Sequence, residues 1–145
     1  MAVQECVAVV DDDDGVRDAL RFVLEAAGFA VRSYGSALAF LPEATQCHWR
    51  YLVVDQHMPA LTGLELVARL RGSGNRVPTL LITGSASPDL FDRAAALGVD
   101  AVLEKPLVSG DLLRYLAGAG PEVDQTRRMF QNTGAPSSIP VRLAR

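Results

Sequence analysis

Five aspartates, a threonine and a lysine are the residues with which this sequence of 145 residues could do chemistry. Asp11, Asp12, Asp13 and Asp14 follow the apolar run Cys6–Val10, and Asp55 follows the run Tyr51–Val54. Thr83-Gly84 ends the run Val77–Thr83, and Glu104-Lys105-Pro106 follows Ala101–Leu103. Carboxylates brought together repel one another and raise each other's pKa unless a cation offsets them. A hard, oxygen-seeking Mg²⁺ or Mn²⁺ does this and can also hold phosphate oxygens. At the centre of such a cluster Asp55 can act as a nucleophile toward phosphorus and form an aspartyl phosphate. The transfer spreads charge over three equatorial oxygens, which positioned cations and donors stabilise. Lys105, the Thr83 hydroxyl and backbone N–H groups are the groups on hand.

These side chains meet only if the intervening elements bring them to one place. Ala30–Tyr34 is a fifth short, β-branched run, and helix-period stretches lie between the runs. Val16, Leu20, Val23, Leu24 and Ala27 recur at helical spacing, with Asp14 as expected N-cap and Gly28 as expected stop. Ser36 can cap a helix containing Leu38, Phe40 and Leu41, and Gly63 opens one with Leu64, Val67, Ala68 and Leu70 on a face. Pro88–Leu97, ending at Gly98, and Ser109–Ala117 supply two more. Five strands alternating with five helices imply an α/β domain, a parallel sheet covered on both faces. Ligands of such sheets bind beyond the carboxyl ends of the strands. That edge is where the aspartates, Thr83 and Lys105 fall.

At these residues the sequence resembles the receiver domains of two-component response regulators. V-V-D-D-D at 9–13, V-V-D-Q-H-M-P-A-L-T-G at 53–63, I-T-G at 82–84 and E-K-P at 104–106 stand in that family's order and spacing. The stretch G-F-A-V-R-S-Y-G-S-A-L-A-F-L at 28–41 is most similar to receivers of the nitrogen-fixation transcription-regulator group. The resemblance implies a flavodoxin-like (βα)5 doubly wound sheet of five parallel strands, order 2-1-3-4-5. It implies Asp55 as phosphoacceptor, with Asp12 binding Mg²⁺ or Mn²⁺ directly, Asp11 through water, and the His57 backbone carbonyl completing the shell. Thr83 matches the switch hydroxyl beside Gly84, and Lys105 the phosphate-binding lysine. It further implies a switch that catalyses only its own phosphorylation and dephosphorylation. A histidine kinase or phosphotransfer protein would act upstream of it and a protein partner downstream. Two positions depart from the family: Val102 stands where it usually has a tyrosine or phenylalanine that reorients with the threonine, and Leu107 where it usually has phenylalanine.

Plainer readings apply to part of this set. Asp13 and Asp14 suit the acidic cap that a helix N-terminus favours. One imidazole among oxygen ligands fits Mg²⁺ poorly, so the His57 side chain is not expected to ligate. His48-Trp49-Arg50 reads as a loop packing on the second helix. Two other functions compete with the switch. V-V-D-D-D-D-G-V also fits the D-x-D motif of haloacid-dehalogenase-type phosphatases, with Asp11 as nucleophile. Against it, no acidic pair follows Lys105 on a further strand, and M-P-A-L-T-G after Asp55 is left unexplained. The other is a pseudo-receiver, an interaction module independent of phosphorylation.

Composition bounds the rest. Hydrophobic residues make up 49%, enough for one continuous core, and the net charge of -3 carries no nucleic-acid footprint. Residues 1–120 hold fifteen acidic against ten basic residues, whereas 121–145 lean basic and are rich in Pro, Ser and Thr. We expect a receiver domain over 1–120 and a flexible tail or linker over 121–145, with Arg127-Arg128 and Met129-Phe130 in the solvated tail. Cys6 and Cys47 have no zinc-type spacing, and Cys6 falls in an apolar run. No signal peptide or membrane-length apolar run is present, which points to a cytoplasmic protein without nucleic-acid or membrane contacts of its own. The sequence is equally compatible with a whole protein and with a piece of a longer regulator.

Overall fold

A computed structural model describes residues 6–107, 109–117 and 141–143. The strands are β1 (Cys6–Val10), β2 (Ala30–Tyr34), β3 (Trp49–Asp55), β4 (Thr79–Thr83), β5 (Ala101–Glu104) and β6 (Val141–Leu143). The helices are α1 (Asp14–Ala26), α2 (Ala37–Phe40), α3 (Gly63–Gly72), α4 (Pro88–Ala96) and α5 (Ser109–Ala117). The first five strands form a parallel sheet in the order 2-1-3-4-5, the topology of the flavodoxin-like fold.

Alternation along the strands divides the core in two. Ala8, Val10, Leu52, Val54, Leu81 and Val102 face one side, where they pack with Phe40, Leu64, Leu66, Leu70, Leu90 and Ala94 of α2, α3 and α4. Val7, Val9, Val53, Leu80, Ile82 and Leu103 face the other, against Leu20 and Leu24 of α1 and Leu112 and Leu116 of α5. Burying each such aliphatic side chain contributes about 1.5–3 kcal/mol, so both layers are needed to hold the sheet. One irregularity breaks the alternation: the β1–β3 register shifts between Cys6 and Val7. Trp49 therefore lies on the α2 side and Tyr51 on the α1 side, although they are two residues apart. Trp49 then meets Phe40 at 5.5 Å and Tyr34 at 6.3 Å between ring centroids.

Several boundaries differ from the sequence expectations, each for a local reason. Asp13, not Asp14, is the N-cap of α1: its side chain accepts from the Val16 N–H. Thr62 caps α3 through a reciprocal capping box with Glu65. The second helix is only four residues long and tightens into a 3-10 turn over Leu41–Glu43, where Pro42 lacks the N–H an α-helix needs. Ala68, expected on one face with Leu64, Val67 and Leu70, is exposed whereas those three are buried. Trp49 opens β3 rather than ending a loop, and β4 starts at Thr79, after Pro78.

One short stretch of the expected tail lies among the described residues. Val141–Leu143 pairs antiparallel with β5, matching Ala101 to Leu143, Val102 to Arg142 and Leu103 to Val141. The five-stranded sheet thereby gains a sixth strand and the edge of β5 is covered. Three residues are too few to show a period, so this strand was not legible in the sequence. Arg127, Arg128, Met129, Phe130 and the 120/121 boundary lie outside the described residues. Truncation after residue 120 is expected to leave the parallel sheet folded, with the melting temperature within a few degrees, and to speed amide exchange at residues 101–103. Calorimetry and exchange mass spectrometry check both parts.

Candidate functional site

The carboxyl ends of β1, β3, β4 and β5 line up on one edge, each closing on a polar residue that the ladder has carried there. Asp55 is the last residue of β3, opposite Ile82 in β4, and Asp11 follows β1. Both aspartates are buried, and Asp12 beside them is exposed. One carboxylate oxygen from each of Asp11, Asp12 and Asp55 lies within 4.8 Å of the other two. Lys105, from the turn after β5, places Nζ 3.2 Å from Asp55 Oδ1 and 3.6 Å from Asp11 Oδ2. Its backbone N–H donates to the Thr83 carbonyl at 2.7 Å, which fixes that turn against β4.

The backbone around Asp55 is held closely. The Gln56 N–H donates to the Ile82 carbonyl at 2.7 Å, and the Gly63 N–H to the Gln56 carbonyl at 3.2 Å. Gln56 Oε1, buried, accepts the Leu64 N–H at the start of α3 at 2.9 Å. A Cβ on Gly63 would lie 2.7 Å from the Asp55 carbonyl oxygen and 2.8 Å from Leu81 Cδ1, closer than such atoms approach. Only glycine lets α3 sit this near the strand end. Around Asp11, the Asp13 N–H donates to Oδ1 at 2.9 Å and Arg17 Nη1 donates to the backbone carbonyl at 2.6 Å.

Electrostatics mark the cluster as one waiting for positive charge. Burial first, and then the charges of Asp55 and Asp12, push the Asp11 carboxyl above its ordinary value, against the pull of the Asp13 N–H and Lys105. Burial acts to lower the Lys105 ammonium, but Asp11 and Asp55 outweigh it and hold the ammonium above its usual value. Asp11 Oδ2 and Asp55 Oδ1 are buried without a hydrogen-bond donor aligned on them, facing Lys105 as ion pairs only. Orphaned, all-oxygen, doubly anionic sites of this kind fit a hard divalent cation.

Thr83 is fully buried at the end of β4. Its hydroxyl donates to the Ser85 carbonyl at 3.1 Å and accepts the Ser85 N–H at 3.2 Å. His57 Nε2 lies 3.2 Å from the same oxygen. With the Thr83 proton given to Ser85, the imidazole is the donor in that contact. The His57 ring is thus directed to Thr83. Gly84 is exposed, and an added Cβ there would meet nothing within 4 Å. Val102 is fully buried in the core on the α2–α4 side, and Leu107 packs against the α1–α5 side.

Asp11, Asp12, Asp55, Thr83 and Lys105 therefore reach the same edge, the His57 ring turns to Thr83, and Val102 lies inside the sheet behind them. Sequence reasoning missed four contributors: Gln56, Gly63, Arg17 and Glu104, whose Oε2 lies 3.5 Å from the Ala86 N–H. A buried-strand run continuing directly into Asp55-Gln56 was the available signal for Gln56. Gly63 closes the motif at 53–63 and Glu104 opens the one at 104–106, so both were in view without a role, whereas the Arg17 contact shows only in the fold. A hollow of about 580 Å³ opens beside Lys105 and Gly84, walled by Val16, Leu20, Leu107 and Leu112. A larger cavity of about 740 Å³ lies at the opposite end of the sheet, away from the aspartates.

Comparison with known proteins agrees with this geometry. Residues 7–117 match the model of the response regulator receiver domain. The transcriptional regulatory protein FixJ of Azorhizobium caulinodans is 36% identical over 123 residues, which are 84% of this chain and 58% of that one. FixJ of Bradyrhizobium diazoefficiens is 34% identical over 119 residues, covering 82% and 58%. The chain thus spans less than two thirds of these relatives. Among solved structures, a crystal structure of FixJ-N superposes with TM-score 0.72 and 32% identity, covering 80% of this chain and 93% of that one. The Vibrio cholerae chemotaxis protein CheY4 gives 0.75 and 27%, covering 79% and 98%. With motifs, fold and family model in agreement over most of its length, the chain belongs to the response regulator receiver family.

Proposed function

We propose that this domain is a phosphorylation-dependent signalling switch that accepts a phosphoryl group on Asp55 from the phosphohistidine of a histidine kinase or phosphotransfer protein. The observation that carries the reading is the convergence of three carboxylates within 4.8 Å with Lys105 Nζ 3.2 Å from Asp55. Asp55 attacks phosphorus, an O–P bond forms, and the P–N bond to the donor imidazole breaks. Lys105 then faces the incoming phosphoryl oxygens, and the Thr83 hydroxyl must leave Ser85 and His57 to reach them. Asp11, Asp12, Asp55 and the His57 carbonyl would hold a Mg²⁺ or Mn²⁺ ion, which when bound offsets the carboxylates and the phosphoryl charge. The domain on this reading catalyses only its own phosphorylation and later hydrolysis, in the cytoplasm. It acts on a downstream protein partner and makes no nucleic-acid or membrane contact itself. No helix among the described residues is long and apolar enough to cross a membrane. The two FixJ relatives are named transcriptional regulatory proteins, so the partner module of this domain is proposed to govern transcription.

Incubation with acetyl phosphate and Mg²⁺ is expected to add one phosphoryl mass, absent from Asp55→Asn. Persistent labelling of the variant would place the acceptor elsewhere. Steady release of phosphate from small phosphomonoesters would instead favour the phosphatase reading with Asp11 as nucleophile, and no labelling at all the pseudo-receiver.

The raised Asp11 carboxyl gives a prediction with a definite sign. Its ionised form is disfavoured by folding, so its contribution to stability is full below the ordinary aspartate range and lost as pH rises through the raised value. Asp11→Asn is therefore expected to melt higher than wild type near neutral pH without divalent cation, the gain shrinking as pH falls toward about 4. Mg²⁺ should raise the wild-type melting temperature and leave Asp12→Ala unmoved. Differential scanning calorimetry reads both, and an Asp12→Ala domain that still responds to Mg²⁺ would refute the ligand assignment.

Readout follows from Thr83 and Val102. Thr83 can move, but Val102 is small, stiff about χ1 and packed in the core, on a strand held between β4 and β6. Differential contact between the two states is therefore concentrated at the end of β4. On adding beryllofluoride and Mg²⁺, NMR shifts are expected at residues 84–92, with residues 101–104 and α5 nearly still. The reverse pattern would show the output to run through β5.

A further inference from the structure

Cys6 opens β1 and Cys47 precedes β3, at the ends of these strands remote from the aspartates. The strands are neighbours, and Cys6 is in register with Trp49, so Cys47 lies two residues upstream of the partner of Cys6. Neither cysteine is in a disulfide, and both sit on the same packed side of the sheet, Cys6 in the core and Cys47 half-buried against it. Arg32 of β2 donates from Nη1 to Cys47 Sγ at 3.2 Å. Its guanidinium also lies 3.7 Å from Glu43 Oε1, which in turn accepts the Tyr34 hydroxyl at 3.0 Å.

Two shifts describe the same cluster from both sides. The Arg32 guanidinium is pushed up, first by Cys47. The Cys6 thiol is raised by burial, opposed by Arg32 and reinforced by Cys47. Access is unequal as well: Cys47 lines the cavity of about 740 Å³ at this end of the sheet, together with His48 and Asn75, whereas Cys6 is 9% exposed and absent from its lining. A partly exposed cysteine beside a cation, with a second thiol on the neighbouring strand and the same packed side, is the setting of redox-active thiols.

We propose that Cys47 is a peroxide-oxidisable thiol and Cys6 its resolving partner. The Cys47 thiolate attacks a peroxide oxygen, an S–O bond forms as the O–O bond breaks, and the departing hydroxide takes a proton to leave as water. Sulfur is oxidised by two electrons and the peroxide reduced. The Cys6 thiol then attacks the sulfenic sulfur. An S–S bond forms, the S–O bond breaks, and the Cys6 proton leaves with the hydroxide as a second water. Cys47 belongs to the turn ahead of β3 and to no ladder, so its sulfur can approach Cys6 without unpairing a strand. β1 runs five residues, about 16 Å, between Cys6 and the aspartates, which makes this a site separate from Asp55.

The test exposes the reduced full chain to hydrogen peroxide with and without dimedone, followed by non-reducing peptide mapping. Dimedone is expected on Cys47 first. Without it, a Cys6–Cys47 linked peptide lighter by two hydrogens should accumulate. Cys6→Ser should leave a trappable sulfenic acid on Cys47 and no link. Arg32→Ala should slow Cys47 oxidation several-fold at unchanged circular dichroism, and Arg32→Lys should restore part of the rate. Oxidation of native Cys47 no faster than in denaturant, first labelling at Cys6, links only between molecules, or indifference to both Arg32 variants would overturn the proposal.

Discussion

Negative charge held together at the carboxyl edge of the sheet is the constraint on which the rest of this domain depends. Like charges about 4 Å apart near a protein surface repel by about 4 kcal/mol, a large fraction of the stability of a domain this size. Asp11 and Asp55 are buried in that arrangement, and the single ammonium of Lys105 faces two carboxylates. Balance is incomplete, as the raised Asp11 carboxyl and the two orphaned oxygens attest. A folded chain tolerates such a deficit only when the remainder of the structure is over-determined, and when the site serves a purpose that needs it.

The over-determination is visible in the packing. Fully apolar strands are sandwiched by helices on both sides, so their ends cannot shift without opening one of two cores. The close approach of α3 through Gly63, the buried Gln56 amide and the Lys105–Thr83 backbone bond then tie each functional end to its neighbour. Position comes from apolar burial, and chemistry from the few polar residues that burial forces to the edge.

Thr83 connects that static frame to a possible change of state. Its hydroxyl is satisfied three times over, by Ser85 and His57. Any group that draws it away must therefore offer a stronger, charge-assisted bond, which a phosphoryl oxygen does and water does not. The core valine behind it and the extra strand on β5 keep the neighbouring element rigid. The far end of the sheet is governed by different contacts, those of Arg32 with Cys47 and Glu43.

The sequence by itself determined the alternation of strands and helices, the parallel sheet and the residues at its functional edge. Apolar runs that end in Asp, Thr and Lys are local patterns, and burial leaves them one place to go. Four spaced motifs also sufficed to mark the family. What only the tertiary structure decided are relations between distant segments. The β1–β3 register shift turns Trp49 toward α2, a three-residue strand returns to cover β5, and His57 reaches across to Thr83. Asp13 rather than Asp14 caps α1 because the cap depends on where the backbone leaves β1, not on residue type. Each of these rests on geometry between chain segments far apart in sequence, or on a choice among near-equal local alternatives. Neither leaves a periodic trace in the order of residues.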